Sequence, residues 1–130
     1  MSDYLTPATV GKMKALSQAT VFYVSDLVRS LEFYTKKLGF GKDFVYGDPV
    51  YYAGIELDEI SIHLCKPNCC PEKIGKGSVY VFCDSVDDHF EKVKSAGVEL
   101  KKELETHPHG MKEFCVIDPD GNYVSFGTKI

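Results

Sequence analysis

Two stretches decide the fold: VFYVSDLVRSLEFYTKKLGF, residues 21–40, and VYVFCDSVDDHFEKVKSAGV, residues 79–98. Slid by 58 positions, the chain lays one on the other, with Asp26 on Asp84 and Gly39 on Gly97. Each stretch reads as strand, acidic cap, amphipathic helix and glycine stop. In the first, Ser25 or Asp26 suits the N-cap. Leu27, Leu31, Tyr34 and Leu38 recur at helical spacing, Glu32 and Lys36 form an exposed pair one turn apart, and Gly39 ends the helix. In the second, Asp84 or Ser85 caps, Asp87 and Asp88 favour the positive end of the helix dipole, and Val86, Phe90 and Val93 make the stripe up to Gly97.

β-type sequence follows each helix: KDFVY, VYYAGIEL and EISIHLCK in the first half, then ELKKELE, KEFCVID and NYVSFGT in the second. Gly47-Asp48-Pro49, Asp58-Glu59, His107-Pro108-His109-Gly110 and Asp118-Pro119-Asp120-Gly121 supply turn chemistry. The fold class expected is α+β: two tandem βαβββ modules forming a curved mixed sheet with a concave cleft. One such module cannot cover its own sheet, and two joined side by side can. The division expected is an N-terminal arm over 1–15 and one domain over 16–130, its modules spanning about 16–70 and 76–130.

Strand side chains alternate, so parity sorts the faces. Ile60, Ile62 and Leu64 oppose Ser61, His63 and Cys65. Val124 and Phe126 oppose Tyr123, Ser125 and Gly127. Val79, Val81 and Cys83 oppose Ser78, Tyr80 and Phe82, while Phe22 and Val24 oppose Ala19, Val21 and Tyr23. One face is aliphatic and meets the helices. The other mixes rings with small polar groups, which describes a ligand cleft, a half-wet sheet face or a dimer surface.

A length of 130 residues suits one domain. The net charge of −4 has its basic residues dispersed, which argues against nucleic acid as a partner. No apolar run nears the roughly 20 residues of a membrane span. The start of the chain has no signal-peptide pattern, so a cytoplasmic location is expected. Five cysteines are then free thiols. Cys65, Cys69 and Cys70 match no standard zinc spacing and read as a loop cluster rather than a metal site. Cys65 and Cys115 read as packing residues, Tyr34 as core, and the Asp118–Gly121 turn as structural.

The paired strand-Asp-helix-Gly units, DLVRSLEFYTKKLGF, and the ending HGMKEFCVIDPDGNYVSFG resemble the glyoxalase, bleomycin-resistance and dioxygenase group, the vicinal oxygen chelate superfamily. The likeness runs from about Leu16 to Gly127 and is nearest to the bleomycin-resistance-like branch. It implies four metal-ligand positions, which fall on Ala19, His63, Ser78 and Ser125. Three of these hold a methyl or a neutral hydroxyl, poor donors for a divalent ion. No cofactor is therefore expected. The alternative is a lyase, isomerase or dioxygenase with a displaced metal, His63 combining with Glu113, His107 or His109, or with His63 and Glu113 as acid–base candidates.

The resemblance implies a homodimer and a small, partly aromatic ligand held as in antibiotic sequestration. Tyr23, Tyr52, His63, Tyr80, Phe114 and Tyr123 would supply rings and polar tips, and Ser78 and Ser125 adaptable hydrogen bonds. Tyr51 and Tyr52 adjoin that region, and alternation lets only one face it. His63 also reads simply as a cleft-wall histidine bonded to a neighbour, and Glu113 as an exposed strand residue. The acidic balance favours a cationic ligand.

Overall fold

A computed structural model describes residues 12–130; most of the expected arm, residues 1–11, lies outside them. Strand β1 (Thr20–Tyr23) leads into helix α1 (Leu27–Glu32), which continues as a wider turn over Phe33–Lys37. Then come β2 (Gly41–Gly47), β3 (Val50–Leu57) and β4 (Ile60–Cys65). A short 3₁₀ turn, Pro71–Lys73, precedes β5 (Ser78–Phe82), α2 (Asp87–Ser95), β6 (Leu100–His107), β7 (Met111–Ile117) and β8 (Tyr123–Lys129). Each half is strand, helix and three strands, as its sequence requires.

The eight strands divide into two four-stranded sheets of the same order, β1-β4-β3-β2 and β5-β8-β7-β6. In each, the first strand runs parallel to the fourth and the other pairs are antiparallel. Edge strands β1 and β5 flank a common seam. The Phe22 ring lies so close to Gly77 that a Cβ there would crowd it. Among the described residues no helix is long and apolar enough to cross a membrane.

Helix α1 starts where expected, with the Asp26 carboxylate accepting from Arg29 N–H at 3.1 Å. Leu27, Tyr34 and Leu38 are buried and Leu31 is half-buried against the same core. Its second half departs from a plain α-helix. Thr35 donates its hydroxyl to the Leu31 carbonyl at 2.8 Å, the acceptor an α-turn would use for its N–H. Leu38 N–H then reaches Phe33 O, one residue further back than usual. Helix α2 departs at its start. Neither Asp84 nor Ser85 caps it; Val86 flanks the helix without a side-chain bond. Asp87 and Asp88 in the first turn still answer the dipole.

One apolar cluster spans both modules, with Phe22, Ile55, Ile62 and Leu64 from the first and Val81, Phe114, Val116 and Phe126 from the second. Polar ties reinforce it across the seam. Tyr34, fully buried, donates its hydroxyl to Asp118 at 2.8 Å. Asp118 Oδ1 accepts the N–H groups of Asp120, Gly121 and Asn122 at 2.8–2.9 Å. Asn122 in turn takes Gly77 N–H at 2.7 Å and donates to the Tyr23 carbonyl at 3.3 Å. The turn read as structural is the clasp between the modules.

Candidate functional site

The strand face away from the helices carries one ring-and-polar cluster in each sheet. In the first sheet, pairing sets Tyr52 opposite Cys65, Gly54 opposite His63 and Val21 beside His63. The Tyr52 hydroxyl and His63 Nδ1 share a hydrogen bond of 2.9 Å. Phe44 of β2 stacks on Tyr52 with centroids 6.2 Å apart and meets His63 edge-on at 5.3 Å. Gly54 makes this possible, because a Cβ there would overlap the Phe44 ring. Burial raises the Tyr52 phenol and the Cys65 thiol above their ordinary pKa values, so both remain protonated at neutral pH.

In the second sheet, Tyr80 stands beside Ser125 and Glu113 opposite Gly127. Tyr80 donates to Glu113 Oε1 at 3.0 Å, and its ring lies 4.9 Å from that of Phe82. Gly127 is the floor beneath Tyr80, since a Cβ there would meet the hydroxyl. Burial, then the hydrogen bond and charge of Glu113, push the Tyr80 pKa up to about 12. Tyr80 is thus a fixed donor at neutral pH. His109 Nε2 lies 3.4 Å from Glu113 and His107 Nε2 4.0 Å from it, with Glu105 3.3 Å from His107. The seam between the sheets opens into a cavity of about 260 Å³ lined by Ser17, Thr20, Ser61 and Tyr80 among others.

The expected site residues are not all brought together. Phe114 is a correction: it is fully buried in the core, paired across the ladder with Phe126 and in edge contact with Phe90 at 5.2 Å. Glu113 takes the cleft face in its place. Of the adjacent tyrosines, Tyr52 joins the cluster, while Tyr51 meets Tyr46 edge-on at 5.7 Å. Tyr23 is half-buried with the Lys73 ammonium 6.0 Å over its ring. Tyr123 is exposed beneath Lys101 at 5.5 Å. Ser78 is exposed at the start of β5, and Ser125 is half-buried beside Tyr80. His63 bonds within the first sheet and Glu113 within the second, so the two acid–base candidates have separate partners.

The four positions assigned to a metal do not fit one. Ala19 offers no donor, Ser78 and Ser125 offer weak ones, and His63 is left as a single strong ligand, too few to hold an ion. Among the described residues no three His, Cys, Asp or Glu side chains are grouped to hold an ion.

Phe44 and Gly54 were absent from the site expected from sequence; Phe82 and Gly127 were placed on its face by alternation but not counted among its ligand-binding residues. Glycine inside a strand does signal close approach, and Gly54 carries that signal. Phe44 carried none, because β2 is bulged between Lys42 and Phe44, which breaks a simple alternation count.

No curated protein matches the chain. Solved structures share its fold. TioX from Micromonospora sp. ML1 has a TM-score of 0.79 at 17% identity, covering 89% of this chain and 100% of that one. TnmS3, an antibiotic binding protein from Streptomyces sp. CB03234, has a TM-score of 0.77 at 20% identity, covering 92% and 100%. A glyoxalase/bleomycin resistance protein from Catenulispora acidiphila DSM 44928 has a TM-score of 0.74 at 23% identity, covering 89% and 100%. The model of the glyoxalase/bleomycin resistance protein/dioxygenase superfamily matches residues 16–126. With its duplicated modules and matching sheets, the chain belongs to that superfamily.

Proposed function

We propose that this protein binds a small, partly aromatic molecule on its ring-lined strand face and holds it without a metal ion and without transforming it. One observation carries the reading. Corresponding faces of the two sheets each present a ring cluster with a hydrogen-bonded polar tip, Phe44–Tyr52–His63 and Phe82–Tyr80–Glu113. Rings recognise a planar partner by stacking, worth about 0.5–1.5 kcal/mol per pair beyond area burial. Glu113, 16% exposed in its side chain, and the net charge of −4 favour a ligand of basic character. The described function of TnmS3, antibiotic binding, is the kind of task such a face suits.

Phe82 is 76% exposed, and Val21 and Phe44 are exposed as well. A second copy covering these groups would complete the groove, so we place the ligand between two copies of the chain. The protein has no tryptophan, so its tyrosines report on binding. Titration with planar aromatic cations should quench tyrosine emission and raise the melting temperature, and matched anions should do neither. Failure of every planar compound to bind, or elemental analysis finding one divalent ion per chain, would overturn the reading.

A further inference from the structure

Between β4 and the 3₁₀ turn the chain reads Lys66-Pro67-Asn68-Cys69-Cys70-Pro71. Cys70 has a left-handed backbone, φ 61° and ψ 51°, which residues other than glycine seldom adopt. This conformation accompanies a close approach of neighbouring thiols: Cys70 S–H donates to Cys69 Sγ at 2.7 Å. Cys69 is exposed, Cys70 is half-buried, and both are free. The segment that follows is tied to the ring-lined face. Lys73 lies over Tyr23, Gly75 N–H donates to the Tyr23 carbonyl at 3.2 Å, and Lys73 and Lys76 line a cavity of about 310 Å³ with Val21 and Tyr23.

We propose that Cys69 and Cys70 form a thiol–disulfide exchange site that closes to a vicinal disulfide by reaction with a small disulfide of the glutathione type. Cys69 is the attacking sulfur, because it is exposed and accepts a hydrogen bond from its neighbour. Its thiolate bonds to one sulfur of the small disulfide, whose S–S bond breaks and releases one thiolate. Cys70 then loses its proton and bonds to Cys69 Sγ, which expels the second thiolate. The two protons given up by the cysteines are taken up by the two departing thiolates. One disulfide is reduced to two thiols and the two protein thiols are oxidised, so the exchange balances. Lys73 presents positive charge beside the pair, and a carboxylate of glutathione disulfide is matched to it.

The bridge is a labile one by geometry. Consecutive Cα atoms are about 3.8 Å apart, shorter than the roughly 4.4–6.8 Å spanned by ordinary disulfides. Strained, exposed bridges are easily reduced, so the pair opens again when thiols are plentiful. Closure re-sets the backbone at Cys70, and with it the Pro71–Lys73 turn that holds Lys73 over Tyr23. The exchange thereby reaches the face on which we place the ligand.

The test is reaction with glutathione disulfide under native conditions, then unfolding, alkylation with iodoacetamide, intact mass measurement and peptide mapping. The protein should lose two hydrogens, retain no glutathione, and be alkylated only at Cys65, Cys83 and Cys115. Dithiothreitol should restore all five alkylation sites. Cys70→Ser should trap one glutathione on Cys69, and Cys69→Ser should trap at least tenfold less. Both positions lie in a loop with Cys69 exposed, and a melting curve confirms that each variant folds. Five alkylated cysteines after oxidation, a bridge mapped to another pair, or a Cys70→Ser protein free of glutathione would each overturn the assignment.

Discussion

At the scale of single residues, the floor glycines make the sharpest forecast. In Gly127→Ala the new methyl meets the tip of the Tyr80 side chain. That ring is free to swing aside, so the cost to stability is small, but the Tyr80–Glu113 bond is lost. Affinity for a planar aromatic cation should fall about tenfold, roughly 1.4 kcal/mol, with the melting temperature little changed. Tyrosine-fluorescence titration measures the first and thermal unfolding the second; an unaltered affinity would remove Tyr80 from the site. Tyr80 also leaves a mark on alkaline stability. The folded protein holds its phenolic proton to about 12, against an ordinary 10.0. The resulting stabilisation is complete below pH 10 and is lost as pH rises through 12. Urea unfolding of Tyr80→Phe should therefore show a shallower decline over that window than the parent protein.

At the scale of elements, the second helix and its sheet depend on an imidazole that does not belong to the site. His89 sits 4.6 Å from Phe126 and 6.1 Å from Phe114, ring to ring. Its Nε2 is buried with no hydrogen-bond partner. Burial, and secondarily Lys92, lowers its pKa from 6.5. The unfolded chain thus takes up this proton at a higher pH than the folded protein does. Its contribution to stability is complete above pH 6.5 and drains away as pH falls through the lowered folded value. His89→Phe should flatten that acid limb in denaturant unfolding from pH 7 to 4 and gain about 1 kcal/mol by removing the unpaired nitrogen. An unchanged acid slope would assign the limb to other groups.

The elements were legible in sequence to different degrees, for physical reasons. Asp26 and Gly39 act within one turn of their own positions, so the bounds of α1 could be read. The missing cap on α2 and the widened turn after Glu32 depend on which nearby acceptor is free, and pattern alone does not say. Phe114 was misplaced because both faces of β7 carry apolar groups, Met111, Cys115 and Ile117 against Phe114 and Val116. Alternation separates the two sets and leaves open which of them meets the helices.

At the scale of the whole molecule, the two modules should unfold as one. The shared apolar cluster and the Tyr34–Asp118–Asn122 clasp cross the seam. Asp118→Ala strips five hydrogen bonds of their acceptor and should cost about 3 kcal/mol. Far- and near-ultraviolet circular dichroism should still follow a single shared transition. Two separated transitions would mean that the modules fold independently.

The repeat, the strand-helix-strand order and the weakness of Ala19, Ser78 and Ser125 as metal ligands were determined by the sequence alone, because periodicity, capping and donor chemistry are local properties. Tertiary structure decided the rest: that Glu113 rather than Phe114 meets Tyr80, that Phe44 closes over Gly54 beside His63, and that Asp118 clasps two modules instead of only turning a chain. Those outcomes depend on register and on contacts between residues far apart in sequence, where the partner across the ladder determines which face a side chain occupies.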